Sequence, residues 1–117
     1  MPIQHLTEIP IVFYRSATGS EPVRDWLREL PGEDRRILGF DLATVQMGWP
    51  VGMPLCRSLG AGLWEVRSSL PSRRIARVLF GVGKGRICIV HGFIKKTQKT
   101  PADEIALARK RMEEMGL

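Results

Sequence analysis

The stretch that decides the fold is RICIVHGFIKKTQKTP, residues 86–101. It opens with an unbroken apolar run from Ile87 to Val90, which predicts a buried strand. The strand exit carries one imidazole and three cations, namely His91, Lys95, Lys96 and Lys99. A hydroxyl residue followed by a proline, Thr100 and Pro101, predicts that a helix starts there. A rigid strand therefore delivers a titratable group and three fixed charges to one end of a sheet.

The apolar pattern before this stretch has period two from Leu55 onward. Glycines interrupt it at residues 60–62 and 83–85, and a proline followed by a serine at 71–72, and tight turns are expected at all three places. The strands are predicted at residues 55–59, 63–70, 73–82 and 86–94. Because short turns join them in succession, they should form a four-stranded antiparallel meander.

The first half of the chain predicts one strand and two helices. Residues 9–15 are β-branched and aromatic, and Pro10 suggests an edge position. Apolar spacing predicts helices at 21–30, capped by Ser20, and at 33–47, and a last helix follows Thr100. The fold class is therefore α+β, in a single domain spanning residues 1–117. We expect the helices to pack on one face of a mixed sheet and the other face to stay partly open and basic.

The net charge of +6 is concentrated in one part of the chain. Residues 55–100 hold ten basic side chains and one acidic one, Glu65, a net charge of +9. Such a surplus predicts a positive face whose partner is a polyanion; the alternative is an ordinary solvated surface. The candidate RNA-binding residues are Arg57, Arg73, Arg74, Lys84, Lys96 and Lys99.

Nothing in the sequence suggests a cofactor, a metal centre or a membrane partner. Cys56 and Cys88 lie inside apolar runs without metal-ligand spacing, so we interpret both as core residues. No apolar stretch approaches the roughly 18 residues that a membrane span needs. The N-terminus lacks a signal-peptide pattern, so the expected compartment is the cytoplasm.

Four residues are candidates for chemistry on a phosphodiester. Arg67 and Arg77 lie mid-strand and should be roughly opposite or diagonal across the turn at 71–72, where two guanidinium groups can clamp one phosphate; the alternative is an ion pair with Glu65. His91 suits proton transfer at neutral pH, although a lone histidine at a strand end is often structural. With Lys95 it would supply the acid and base for attack by a ribose 2′-hydroxyl, without metal.

Several segments resemble one known family. LWEVR at 63–67, RIARVLF at 74–80 and HGFIKKTQKTP at 91–101 look like the HigB-like, partly phage-derived branch of the RelE/ParE toxin superfamily. The similarity extends through residues 19–30 and 48–59. It implies a RelE/ParE-like fold in a type II toxin that cleaves mRNA on the translating ribosome. It also implies a helix-turn-helix, HigA-like antitoxin as partner.

The resemblance places roles on individual residues. Arg67 and Arg77 match the strand arginines that contact the scissile phosphate, and Lys95 and Lys96 match the basic exit segment. One departure is that several superfamily members carry a catalytic tyrosine or histidine near the C-terminus, which this chain lacks. Two alternatives stay open, a ParE-like gyrase inhibitor and a catalytically silent module that binds RNA or the antitoxin.

Overall fold

The computed structural model describes residues 8–117 as three α-helices and a five-stranded sheet. The strands are β1 (Ile11–Phe13), β2 (Cys56–Gly60), β3 (Leu63–Ser69), β4 (Ile75–Gly83) and β5 (Arg86–Lys95). The helices are α1 (Pro22–Glu29), α2 (Gly32–Gly48) and α3 (Ala102–Glu114). A short 3₁₀ turn, Pro71–Arg73, joins β3 to β4. The predicted α+β class and element order are confirmed.

The strand order in the sheet is β1-β5-β4-β3-β2. Strands β2 to β5 pair antiparallel with their neighbours, as the predicted meander requires. β1 pairs parallel with β5 at the sheet edge, so the sheet is mixed. Pro10 lies just before this edge strand, where its carbonyl accepts a hydrogen bond from the Ile87 N–H at 2.9 Å. The apolar strand β5 lies between β1 and β4, and both of its faces are buried because α1 packs against one and α3 against the other.

Helices α1 and α2 cover one face of the sheet. Their apolar residues, among them Val23, Leu38 and Val45, pack on Val66 and Val78 of the central strands. The packing is close at Gly92 of β5, where an added Cβ would lie 2.5 Å from the Trp26 ring. Both cysteines are buried and free, as predicted, and burial raises the pKa of the Cys56 thiol to about 11.

The prediction that all helices share one face is wrong for α3. This helix packs on the opposite face, where its Ala108 and Met112 join Leu63, Leu79 and Val90 in a second core cluster. The physical reason is that the alternating strands carry apolar side chains on both faces, and α3 covers the second set. Only the part of that face beyond α3 remains for polar groups.

Two helix starts differ from the prediction. The residue before α1 is Glu21 rather than Ser20, and the residue before α3 is Pro101 rather than Thr100; neither makes a side-chain cap. Thr100 instead donates its hydroxyl to Glu65 on β3. Within residues 8–117, no helix is long and apolar enough to cross a membrane.

Candidate nucleic-acid interface

The two strand arginines lie directly opposite each other on neighbouring strands. Arg67 of β3 pairs in register with Arg77 of β4, which is one of the two placements, opposite or diagonal, expected from the turn between them. On the other side of β3, Arg57 of β2 lies opposite Glu65. Because side chains alternate along a strand, these four residues share the sheet face that α3 partly covers. The single acidic residue of the basic region thus lies among three arginines.

Arg77 is fully buried. One nitrogen of its guanidinium, Nη2, donates to the backbone carbonyls of Thr97 and, at 2.9 Å, Gln98. Its Nε lies 4.0 Å from the Glu65 carboxylate. Nε and Nη1 have no hydrogen-bond partner among the described residues. Burial, with the nearby charge of Arg67, lowers the pKa of Arg77 despite the attraction of Glu65. In this conformation Arg77 braces the chain above it and does not face solvent.

Glu65 is buried and shared between several partners. Its Oε2 accepts the Thr100 hydroxyl, and its Oε1 lies 4.0 Å from Nη1 of Arg67. The predicted alternative, an ion pair with Glu65, therefore exists in a loose form for both strand arginines. The Arg67 side chain nevertheless remains 21% exposed, so it can still contact a ligand.

His91 contacts a carboxylate that the sequence did not reveal. Its Nε2 lies 2.8 Å from Oε1 of Glu104 in the first turn of α3, and Lys95 Nζ lies 3.2 Å from Oε2 of the same carboxylate. Burial alone would raise the pKa of Glu104, but the hydrogen bonds from His91 and Lys95 hold it below its ordinary value. Because an ionised carboxylate only accepts hydrogen bonds, Nε2 carries a proton and Nδ1 is the free base in the neutral ring.

The structure does not bring His91 and Arg67 together. The segment Lys96–Thr100 leaves β5, passes over Arg77 on β4 and reaches Glu65 on β3. It therefore runs between Arg67 on one side and the His91–Glu104 pair on the other. The site consists of two clusters on one sheet face, separated by this crossing segment.

The other predicted RNA-binding residues divide into two groups. Arg57 and Lys99 line one small cavity of about 210 Å³ beside the start of α3, and Arg73 and Lys96 are exposed. Arg74, in contrast, makes a two-pronged ion pair with Asp34 of α2 at 2.8 and 2.9 Å, which lowers the pKa of that carboxyl. Lys84 lies in the β4–β5 turn, about 20 Å along the strand from Arg77. Arg74 and Lys84 therefore do not belong to the cluster formed by Arg57, Arg67 and Arg77.

Arg57 and Arg67 also line a larger cavity of about 570 Å³, here called the edge groove. Its other walls come from α2, the segment before β2, and the β3–β4 ends: Ile37, Asp41, Met53, Pro54, Leu55, Ser69 and Ile75. Sequence reasoning missed this groove, because Asp41 and the arginines are more than fifteen positions apart. Within residues 8–117, no group of three or more His, Cys, Asp or Glu side chains has the arrangement of a metal site.

One family of known proteins matches most of the chain. The family model described as "Phage derived protein Gp49-like (DUF891)" matches residues 25–113, which include α2, the four-stranded meander and nearly all of α3. No curated protein matches the chain.

Proposed function

Because the chain belongs to the phage-derived Gp49-like family, a toxin-like family of the RelE/HigB type, we propose that it is a type II toxin that cleaves mRNA on the ribosome. The observation that carries the proposal is the pair of clusters on one sheet face: open cations at Arg57 and Arg67, and a carboxylate-held histidine. The proposal includes a RelE/ParE-like scaffold, action in the cytoplasm and a helix-turn-helix, HigA-like antitoxin as partner.

In the proposed reaction the Nδ1 atom of His91 takes the proton of a ribose 2′-hydroxyl. The 2′-oxygen bonds to the adjacent phosphorus, the bond to the 5′-oxygen breaks, and Lys95 protonates the leaving oxygen. The products are a 2′,3′-cyclic phosphate and a free 5′-hydroxyl. Arg67, on the other side of the crossing segment from His91, holds a neighbouring phosphate of the same strand. Glu104 acts as a positioning residue, since its bond to Nε2 fixes the tautomer and orientation of the ring.

Arg77 enters the proposal in a different role from Arg67. Since its Nη2 is bound to the Thr97 and Gln98 carbonyls, it positions the crossing segment and, in this conformation, does not touch the substrate. The exposed Lys96 and Lys99 on that segment then face the RNA backbone. An RNA strand that lies over the segment reaches both clusters.

The second candidate function is RNA binding without cleavage. It is favoured by the complete burial of Arg77 and by the separation of Arg67 from His91. A binding module needs only the open cations, whereas cleavage needs both clusters to contact the same RNA strand. The two functions differ in the effect of removing His91.

The test is primer extension on a reporter mRNA in a purified bacterial translation system, with and without ribosomes. Cleavage by the wild type should require ribosomes, and His91→Ala should reduce its rate by about 10²- to 10⁴-fold, the usual contribution of a general base. Glu104→Gln should reduce the rate while RNA affinity stays unchanged. The matched control is Arg86→Ala, an exposed arginine at the far end of β5.

Uncut messages together with normal RNA affinity would contradict the cleavage proposal and support RNA binding without cleavage. Intact messages together with DNA damage in cells that express the protein would favour the gyrase inhibitor instead. Equal cleavage by wild type and His91→Ala would remove the histidine from the mechanism.

A further inference from the structure

The edge groove surrounds the end of β3 that pairs with β4 but extends beyond the start of β2. β2 begins at Cys56, opposite Val66, and Arg67 donates its N–H to the Leu55 carbonyl at 2.9 Å just before that start. Leu70 donates its N–H in the other direction, to the Arg74 carbonyl at 2.9 Å. Because backbone groups alternate in direction along a strand, the N–H and C=O of Ser69 point away from β4. They supply one donor and one acceptor at the groove.

The two ends of the edge groove carry opposite charges. Asp41 lies on the α2 side, where its Oδ2 accepts the Ser68 hydroxyl at 2.6 Å. The side chain of Arg67 points to the other face of the sheet from that of Ser68, because neighbouring residues of a strand point to opposite faces. The groove therefore runs around the sheet edge from a carboxylate to a pair of guanidinium groups. Ile37, Met53 and Leu55 provide apolar surface between the ends.

This charge pattern fits one nucleotide better than a bare phosphate chain. Arg57 and Arg67 attract a phosphate, whereas the Asp41 carboxylate would repel a second one. A carboxylate instead accepts hydrogen bonds from donors on a base edge, and the apolar walls suit the faces of an aromatic ring. The volume of about 570 Å³ falls in the range of about 300–1,000 Å³ in which small-ligand sites lie.

We propose that the edge groove binds a guanine base of the RNA, with Asp41 as the residue that selects it and Arg57 and Arg67 on the adjoining phosphate. Guanine alone among the four bases presents two adjacent donors on its Watson–Crick edge, N1–H and N2–H, and one carboxylate can accept both. Its O6 then faces a donor such as the Ser69 N–H. This inference names the base read by the site proposed above, and it rests on that proposal for its biological meaning.

The test measures binding of mononucleotides to the full chain, without ribosomes or cleavage. Isothermal titration with guanosine, adenosine, cytidine and uridine 3′-monophosphates should show the tightest binding for guanosine. Asp41→Asn should reduce that preference about tenfold or more, since a good two-bond contact discriminates bases by such a factor. Arg67→Ala should weaken all four nucleotides alike. Asp25→Asn, which changes an exposed acid on α1, is the matched control.

A second variant guards against a folding defect in Asp41→Asn. Ser69 is exposed on a strand, so Ser69→Tyr should fold and fill the groove, which abolishes binding of every nucleotide. Equal affinity for the four nucleotides, no binding at all, or a guanosine preference that Asp41→Asn leaves intact would overturn the proposal. Binding to β3 by an extended peptide of the antitoxin, with no nucleotide binding, would also overturn it.

The outcome is independent of the cleavage test. If the chain binds guanosine selectively but cuts no message, the edge groove stands and the ribonuclease proposal fails. If the wild type and the Asp41→Asn variant cut messages at the same sequences, the ribonuclease proposal stands and this inference fails.

Discussion

At the scale of single residues, Arg77 carries the largest structural role in the site. It is fully buried beneath the crossing segment and lies beside the buried carboxylate of Glu65. Removing one partner of a buried pair leaves the other charge uncompensated, so Arg77→Met should lower the free energy of unfolding by about 3 kcal/mol. Chemical denaturation followed by circular dichroism measures this change.

The control for that prediction is Arg67→Met. It removes the partly exposed arginine opposite Arg77 and should lower the free energy of unfolding by less than about 1 kcal/mol. The double variant Glu65→Leu with Arg77→Met should recover part of the lost stability, because it removes both buried charges. Equal stability of Arg77→Met and the wild type would show that the guanidinium does not brace the crossing segment.

The same residues mark the limit of prediction from the sequence. The position of a short turn predicts that Arg67 and Arg77 lie opposite or diagonal to each other, and the structure places them directly opposite. The burial of Arg77 was not predictable, because it depends on where residues 97 and 98 pass on their way to α3. The contact between His91 and Glu104 was missed for the same reason, since strand and helix patterns do not tell which residues meet between them.

At the scale of elements, the packing of α1 on β5 depends on a glycine at position 92. An added Cβ at Gly92 would lie 2.5 Å from the Trp26 ring, whereas Gly39 in α2 has no atom within 4 Å of that position. Gly92→Ala should therefore destabilise the fold by about 1–3 kcal/mol, as overpacking does. Gly39→Ala should stabilise it by roughly 0.5–1 kcal/mol, as alanine is the better helix former. Thermal unfolding of both variants gives the comparison, and destabilisation by both would contradict it.

Strands were easier to predict than the placement of helices. The period-two pattern and the turn residues gave all four meander strands to within two residues, since both signals are local. An apolar stripe on a helix shows that one side is buried, but not which face of the sheet buries it. The prediction therefore placed α3 on the wrong face of the sheet. Thr100 shows a related limit, because its long-range bond to Glu65 replaced the local cap.

At the scale of the whole molecule, the surplus charge of residues 55–100 is not one uniform patch. Arg74 is paired with Asp34, Arg77 is buried, and Lys84 lies at the far end of the sheet. Arg57, Arg67, Lys96 and Lys99 are accessible around the crossing segment and the grooves, whereas Lys95 is paired with Glu104 and Arg73 lies in the turn between β3 and β4. The charge that reaches an RNA strand is therefore about half of what the sequence suggests.

That division predicts a modest salt dependence of RNA binding. Each phosphate contact to single-stranded nucleic acid contributes about 0.7 to the slope of log K against log salt, so four contacts give a slope of about −3. Engagement of all nine surplus charges would instead give about −6. Fluorescence anisotropy with a labelled single-stranded RNA, over a range of salt concentrations, measures the slope. Arg57→Ala with Arg67→Ala should reduce its magnitude by about 1.4, and Arg86→Ala should leave it unchanged. A slope near −6, or one that the double variant does not alter, would show that RNA binds elsewhere on the molecule.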